Sequence, residues 1–162
     1  MRYAKIRKMD ISNGPGVRVS IFMQGCAFHC KNCFNPETWD FNKGLEFCDK
    51  TIQKVLEFCG KDWIAGLSIL GGEPLHPNNI QGTTELTKAF KEKYPDKTIW
   101  VWTGFQFENK MNEEVMKYID VLVDGQFKEE CHNPTLKWRG SSNQRVIDVQ
   151  SSLKDRKIVE LQ

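Results

Sequence analysis

No stretch of this chain is apolar for anything near the ~20 residues that a membrane-spanning helix requires. The first residues carry no hydrophobic signal core, so the expected location is the cytoplasm. Charge of one sign is also scarce: 23 Lys and Arg stand against 21 Asp and Glu, a net charge of +2. So mild a balance gives no electrostatic footprint for nucleic acid. Internal repeats, low-complexity tracts and linkers are absent from the sequence, and 162 residues favour one domain over residues 1–162. A chain of this length buries roughly 70% of its unfolded surface and does not need disulfides to hold a core. Six cysteines are nevertheless present. In a reducing compartment they are expected to be ligands or plain thiols.

Turn signals and apolar periodicity divide the chain into alternating elements. Val17–Met23 alternates as a strand after the turn cluster Asn13-Gly14-Pro15-Gly16. Asp49–Cys59 carries Ile52, Val55, Leu56 and Cys59 at helical spacing, with Gly60 as its stop. Gly66–Leu70, Thr98–Trp102 and Asp120–Val123 read as strands, and Thr83–Tyr94 and Asn112–Ile119 as helices. Asn112 is the expected N-cap of the last, with Glu113 and Glu114 in its first turn. Val146–Val149 and Ile158–Leu161 are expected short edge strands. The alternation implies an α/β fold with mostly parallel strands and right-handed crossovers. Roughly four to six strands are too few to close an eight-stranded barrel, which takes ~250 residues, so a partial, laterally open sheet is expected. In parallel α/β folds ligands bind at the carboxyl ends of strands. Gly25-Cys26, Gly71-Gly72-Glu73, Thr103-Gly104 and Asp124-Gly125 each follow a strand, so they are expected to share one rim.

Cys26, Cys30 and Cys33 form C-x3-C-x2-C. Three thiolates within eight residues are placed to wrap one inorganic centre, and soft thiolates favour iron–sulfur clusters, zinc or copper(I). A [4Fe–4S] cube normally takes four cysteines, so three leave one iron open, as a catalytic centre needs. The spacing alone also allows a structural zinc site completed by His29, Cys48, Cys59 or Cys131. Cys59 and Cys48 otherwise read as packing or surface thiols. Leu67–Leu70 runs into Gly71-Gly72-Glu73-Pro74, where paired glycines permit close backbone approach and positive φ. Carbonyls there, with the Glu73 carboxylate, suit an ammonium group; a bare strand-to-helix turn is the alternative.

C-x3-C-x2-C followed by Gly-Gly-Glu on a βα unit resembles the radical S-adenosylmethionine superfamily. The wider pattern resembles its glycyl-radical-enzyme activases that serve anaerobic ribonucleoside-triphosphate reductases. Asn13–Gly16, Gln24–Cys26, Cys33–Trp39, Leu70–Pro77, Trp100–Phe105, Val121–Gly125 and Trp138–Gln144 carry that likeness, which runs from about Asp10 to Val149. The resemblance implies a partial (β/α) barrel of the radical SAM type. It implies a [4Fe–4S] cluster on Cys26, Cys30 and Cys33, with S-adenosylmethionine chelating the fourth iron. One electron would split that cofactor, and the resulting 5′-deoxyadenosyl radical would leave a glycyl radical on the reductase. Asn32, Cys33 and Phe34 would contact the cofactor, Phe34 near the adenine. Gly72 and Glu73 would meet the methionyl ammonium, and Thr103 and Asp124 the ribose or carboxylate. Implied partners are the reductase itself and a low-potential electron donor such as flavodoxin. The alternatives are the activase of another glycyl radical enzyme, such as pyruvate formate-lyase, or a non-catalytic iron–sulfur or zinc binding module. Trp138-Arg139-Gly140 and Gly14-Pro15-Gly16 are the surfaces expected to face the reductase.

Overall fold

The computed structural model describes residues 1–161. Seven strands form one open sheet in the order β3-β1-β2-β4-β5-β6-β7. They are β1 (Arg2–Asp10), β2 (Val17–Gln24), β3 (Leu45–Glu46), β4 (Ile64–Gly71), β5 (Thr98–Trp102), β6 (Val121–Asp124) and β7 (Arg145–Asp148). The α-helices are α1 (Asp49–Cys59), α2 (Ile80–Lys93) and α3 (Val149–Asp155), and short 3-10 turns lie between the elements. Among the described residues no helix is long and apolar enough to cross a membrane.

The centre of the sheet is parallel: β2 pairs β4, β4 pairs β5 and β5 pairs β6 in that sense. Its flanks are antiparallel, with β1 on β2, β3 on β1 and β6 on β7. The expected parallel arrangement therefore holds for the middle of the sheet only. Register lays matched rows across it. Ile21, Ile69, Val101, Leu122 and Ile147 lie in one row and Val19, Leu67 and Ile99 in another. These aliphatic rows share one core with Val55 and Leu56 of α1 and Leu86 and Phe90 of α2. Side chains alternate along a strand, so the intervening residues form the other face. There Ser20, Ser68, Trp100 and Val121 make one row and Trp102, Val123 and Val146 another.

The helix expected at Asp49–Cys59 and the strand expected at Thr98–Trp102 stand at those bounds. The helix expected at Thr83 begins earlier, at Ile80, after Asn79. Asn112–Ile119 is not a helix: only a 3-10 turn, Glu114–Lys117, forms, preceded by Glu113. The turn buries Val115 and Met116, and Ile119 just beyond it is buried as well. Strand β1 escapes periodicity because its Lys and Arg interrupt the apolar pattern. Lys5 and Arg7 lay their cations over the Phe22 ring, so charged residues supply part of its cover. Strand β7 ends one residue short of the expected Val149, because Asp148 turns the chain into α3 by accepting a hydrogen bond from Ser151 N at 2.9 Å. Ile158–Leu161 lies beside β7 but forms a single bridge, Ile147 with Glu160, and not a strand.

Candidate iron–sulfur and cofactor site

The parallel strands β2, β4, β5 and β6 end on one side of the sheet, so the loops that follow them meet. Glu73 N donates to Gly25 O at 2.8 Å and Gly72 N to Met23 O at 2.9 Å, fastening the second loop to the first. A Cβ on Gly72 would stand 2.5 Å from Gly25 O, so only glycine admits this approach. Asn79, at the start of α2, donates its amide to Gln24 O at 3.1 Å and Glu73 O at 3.0 Å. Nothing in the sequence pattern marks Asn79 for that task. The third loop joins through Glu73, whose carboxylate accepts from Thr103 Oγ1 at 2.7 Å, Gly104 N at 2.7 Å and Leu75 N at 2.9 Å. Burial pushes the Glu73 pKa up to about 7 against the pull of those three donors. Roughly four acceptor directions exist on a carboxylate, and three are taken.

The loop after β2 carries the cysteines. Gly25 N donates to Thr38 O at 2.7 Å and Cys26 N to Trp39 O at 3.0 Å, so the loop returns along its own start. His29 and Asn32 adopt left-handed φ of 49° and 54°, and each immediately precedes a cysteine. These turns fold the three thiols toward one side; Asn and His tolerate this region better than most residues. Cys33 N closes a turn on Cys30 O at 3.1 Å. All three cysteines are free thiols. Desolvation raises the pKa of Cys26 and of Cys30, while backbone N–H groups of Phe28 and His29 oppose this at Cys26 and that of Phe127 at Cys30. Asn35 N donates to Cys33 Sγ at 3.4 Å.

A cavity of about 700 Å³ brings these parts together. Cys26, Cys30, Cys33, Phe34, Gly72, Glu73 and Thr103 all line it. Among the described residues no three His, Cys, Asp or Glu side chains are gathered to hold a single metal ion. The three cysteines share one cavity wall. The donor set fits an iron–sulfur cluster: three soft sulfurs at a common wall, with N–H groups already directed at them.

Two expected contacts lie elsewhere. Asn32 does not line the cavity; its amide donates to the Glu129 carboxylate, which also pairs with Lys31 at 2.8 Å. Asp124 is 1% exposed, accepts from Phe107 N at 2.8 Å and is paired with Arg145, whose Nε donates to it at 3.0 Å. It borders a neighbouring cleft of about 370 Å³.

The segment after β6 closes the cavity's outer wall, which periodicity could not foretell. Phe34 packs against Phe127 and His132 with ring centroids 5.1 Å and 5.8 Å apart. Gly140 lies against the Phe34 ring, where a Cβ would come within 2.7 Å. Gln144 organises the turn: its Oε1 accepts from Gly140 N at 2.9 Å and Ser141 N at 3.1 Å, and its Nε2 donates to Gly125 O at 2.9 Å. The Trp138–Gln144 run therefore builds part of the cavity itself. Trp138 and Arg139 line it, as do Arg7, Ser12 and Asn13 from the β1–β2 hairpin.

Comparison with known proteins agrees with this geometry. Residues 12–147 match the family model described as a 4Fe-4S single cluster domain. The anaerobic ribonucleoside-triphosphate reductase-activating protein of Enterobacteria phage T4 is 40% identical over 147 residues, covering 90% of this chain and 93% of that protein. The proteins of that name in Haemophilus influenzae and Escherichia coli K12 are each 39% identical over 150 residues, covering 90% of this chain and 97% of theirs. The chain belongs to the family of anaerobic ribonucleoside-triphosphate reductase-activating proteins.

Proposed function

We propose that this protein is a radical S-adenosylmethionine activase that installs the glycyl radical on an anaerobic ribonucleoside-triphosphate reductase. The observation that carries the reading is the single cavity lined by Cys26, Cys30, Cys33, Gly72, Glu73 and Thr103 at the ends of parallel strands. The family's name supplies the partner. Helices α1 and α2 share one core on one face of strands that run in unbroken order β2-β4-β5-β6. That arrangement supports a single radical SAM domain built as a partial, laterally open barrel.

Cys26, Cys30 and Cys33 would hold three irons of a [4Fe–4S] cluster. When bound, the cluster would supply the one electron needed to cleave S-adenosylmethionine reductively and so to generate the glycyl radical on the reductase. The remaining work belongs to the chain. The carbonyls around Gly72, backed by the Glu73 carboxylate, receive the methionyl ammonium. A bound ammonium favours ionised Glu73, offsetting the burial that raises its pKa. Thr103 holds Glu73 in place through its hydroxyl. Phe34, 64% exposed at the cavity wall, offers a stacking face to the adenine. Asn32 acts on the cofactor from outside the cavity by fixing the cysteine loop through Glu129. Asp124 serves the ribose end by holding Arg145 and the Phe107 N–H. The open side of the sheet admits the glycine-bearing loop of the reductase past Trp138, Arg139 and the Gly14-Pro15-Gly16 turn. A low-potential donor such as flavodoxin delivers the electron in the cytoplasm.

The test is electron paramagnetic resonance on anaerobically reconstituted protein mixed with dithionite, S-adenosylmethionine and its cognate reductase. The expected result is a glycyl doublet on the reductase. Cofactor cleavage without any doublet would assign the radical to another acceptor.

A further inference from the structure

A glycine inside a protein chain carries main chain on both of its sides. Bringing its α-carbon into the cofactor cavity therefore requires room for two limbs of one loop. The open side of the sheet, past Trp138 and Arg139, gives room for one. A second cleft of about 370 Å³ adjoins the cavity, and Phe28, Gly104, Gly125 and Gln126 line both spaces. Its size is within the range of ligand sites. Phe28 belongs to the cysteine loop and meets Phe105 edge-on, with ring centroids 5.0 Å apart. The cleft thus begins at the cysteine loop.

The lining of this cleft is polar, yet little of its charge is available. Among the described residues Asp124 is its one carboxylate, and Arg145 and Phe107 N already hold it. Arg145 is in turn shared between Asp124 and Glu108. Lys128 is the one lining cation not paired with a carboxylate. What remains is carboxamide. Gln106 and Asn109 come from the loop after β5, and Gln126 from the segment after β6. Among the described residues only their main chains are engaged: Asn109 N donates to Gln106 O at 3.0 Å, and Gln126 O accepts from Asn143 Nδ2 at 2.8 Å. The support beneath them is firm. Gly125 N donates to Phe105 O at 3.1 Å, and Phe107, between Gln106 and Asn109, is buried.

We propose that this cleft binds the main chain of the reductase segment on one side of its radical glycine, through the carboxamides of Gln106, Asn109 and Gln126. The proposal rests on the activase reading above and adds to it the second limb of the loop. A carboxamide offers donor and acceptor side by side. A peptide group does the same, so the two pair without regard to the side chains of the segment. A metal ion would find no uncommitted carboxylate here, and a phosphate would find a single lysine. An uncharged, hydrogen-bonding chain is the ligand whose chemistry matches the walls. Gln126, which lines both spaces, marks where the segment passes from cleft to cavity. Walls already pinned need little ordering when the segment binds.

The experiment has two arms, both with anaerobically reconstituted protein and its cognate reductase. In the first, the photo-crosslinking residue p-benzoylphenylalanine replaces Asn109, and the adduct is mapped by mass spectrometry. The expected adduct lies within about six residues of the radical glycine, the reach of ~20 Å of extended chain. In the second, Gln106→Leu and Asn109→Leu are combined; neither side chain lines the cofactor cavity. Radical formation is followed by electron paramagnetic resonance at increasing reductase. The KM for reductase is expected to rise about tenfold, as loss of one or two neutral hydrogen bonds gives, with the maximal rate retained. An adduct elsewhere on the reductase, or no adduct while the glycyl doublet still forms, would overturn the proposal. An unmoved KM in the folded double variant would overturn it too. Should the double variant not fold, the crosslink decides alone. Wild-type protein that cleaves the cofactor and yields no doublet refutes the activase reading itself, a failure distinct from a doublet that ignores the cleft.

Discussion

The two faces of the central sheet are built from the same strands by opposite rules. On the helix side, Val19, Ile21, Leu67, Ile69, Ile99 and Val101 are all fully buried and aliphatic. On the other side the same strands present Arg18, Ser20, Phe22, Ser68, Trp100 and Trp102, a mixture of charge, hydroxyl and aromatic ring. Burying aliphatic area stabilises the fold at roughly 25 cal/mol per Å² and asks for no particular geometry beyond filling space. The second face must instead satisfy each polar group individually. Arg18 illustrates this: it is fully buried, and its guanidinium donates to Ser68 Oγ at 2.7 Å, Leu67 O at 2.9 Å and Thr98 O at 2.8 Å. Stability is concentrated on one face, and the cavity opens on the other.

That division can be broken by substitution. The largest effect is expected from Cys30→Ala, which should abolish S-adenosylmethionine cleavage while leaving the unfolding midpoint of the metal-free protein close to wild type. Undiminished cleavage by this variant would mean the triad has another purpose. Leu67→Ala, on the helix side, should do the reverse. It should cost ~2–5 kcal/mol in urea unfolding, as a buried large-to-small change does, while the folded fraction still cleaves the cofactor.

A pH profile sharpens the contrast. Glu73 has a pKa pushed up to about 7 by burial, from 4.5. The folded state therefore holds that proton after the unfolded chain has lost it. The stability tied to the neutral acid is complete below about 4.5 and is lost as pH rises through about 7. Calorimetry of metal-free protein should show this decline, and Glu73→Gln should flatten it. The smallest effect is expected at the rim. Glu108 is drawn down to about 2, first by its hydrogen bonds from Arg145, so its contribution is present above about 4.5 and lost as pH falls toward 2. Its side chain is half exposed, and Glu108→Gln should cost no more than ~1 kcal/mol at neutral pH.

The same contrast explains how much the sequence disclosed. Helix α1 and strand β5 are legible because each has a regular apolar period facing the aliphatic core. The cysteines and Gly71-Gly72-Glu73 are legible because their chemistry is local and their spacing short. Asn79 and Gln144 are not, since each is an ordinary amide whose role exists only after distant loops have met. Strand β1 hides behind its Lys and Arg, whose stems replace apolar cover. Asn112–Ile119 carries candidate capping residues and buries Val115, Met116 and Ile119, yet forms only the 3-10 turn Glu114–Lys117. Asp124 lies on the expected rim, yet its carboxylate is committed to Arg145 and Phe107 N, a pairing that sequence spacing does not reveal.

The central claim is that three cysteines on the polar face leave one iron free for a ligand that is not protein. Electron–nuclear double resonance on the reduced cluster, with S-adenosylmethionine labelled with 15N at its amino group, addresses it directly. The account predicts a nitrogen coupling that appears only when the labelled cofactor is added. A cluster spectrum unaltered by the cofactor, with every iron held by side chains, would contradict it.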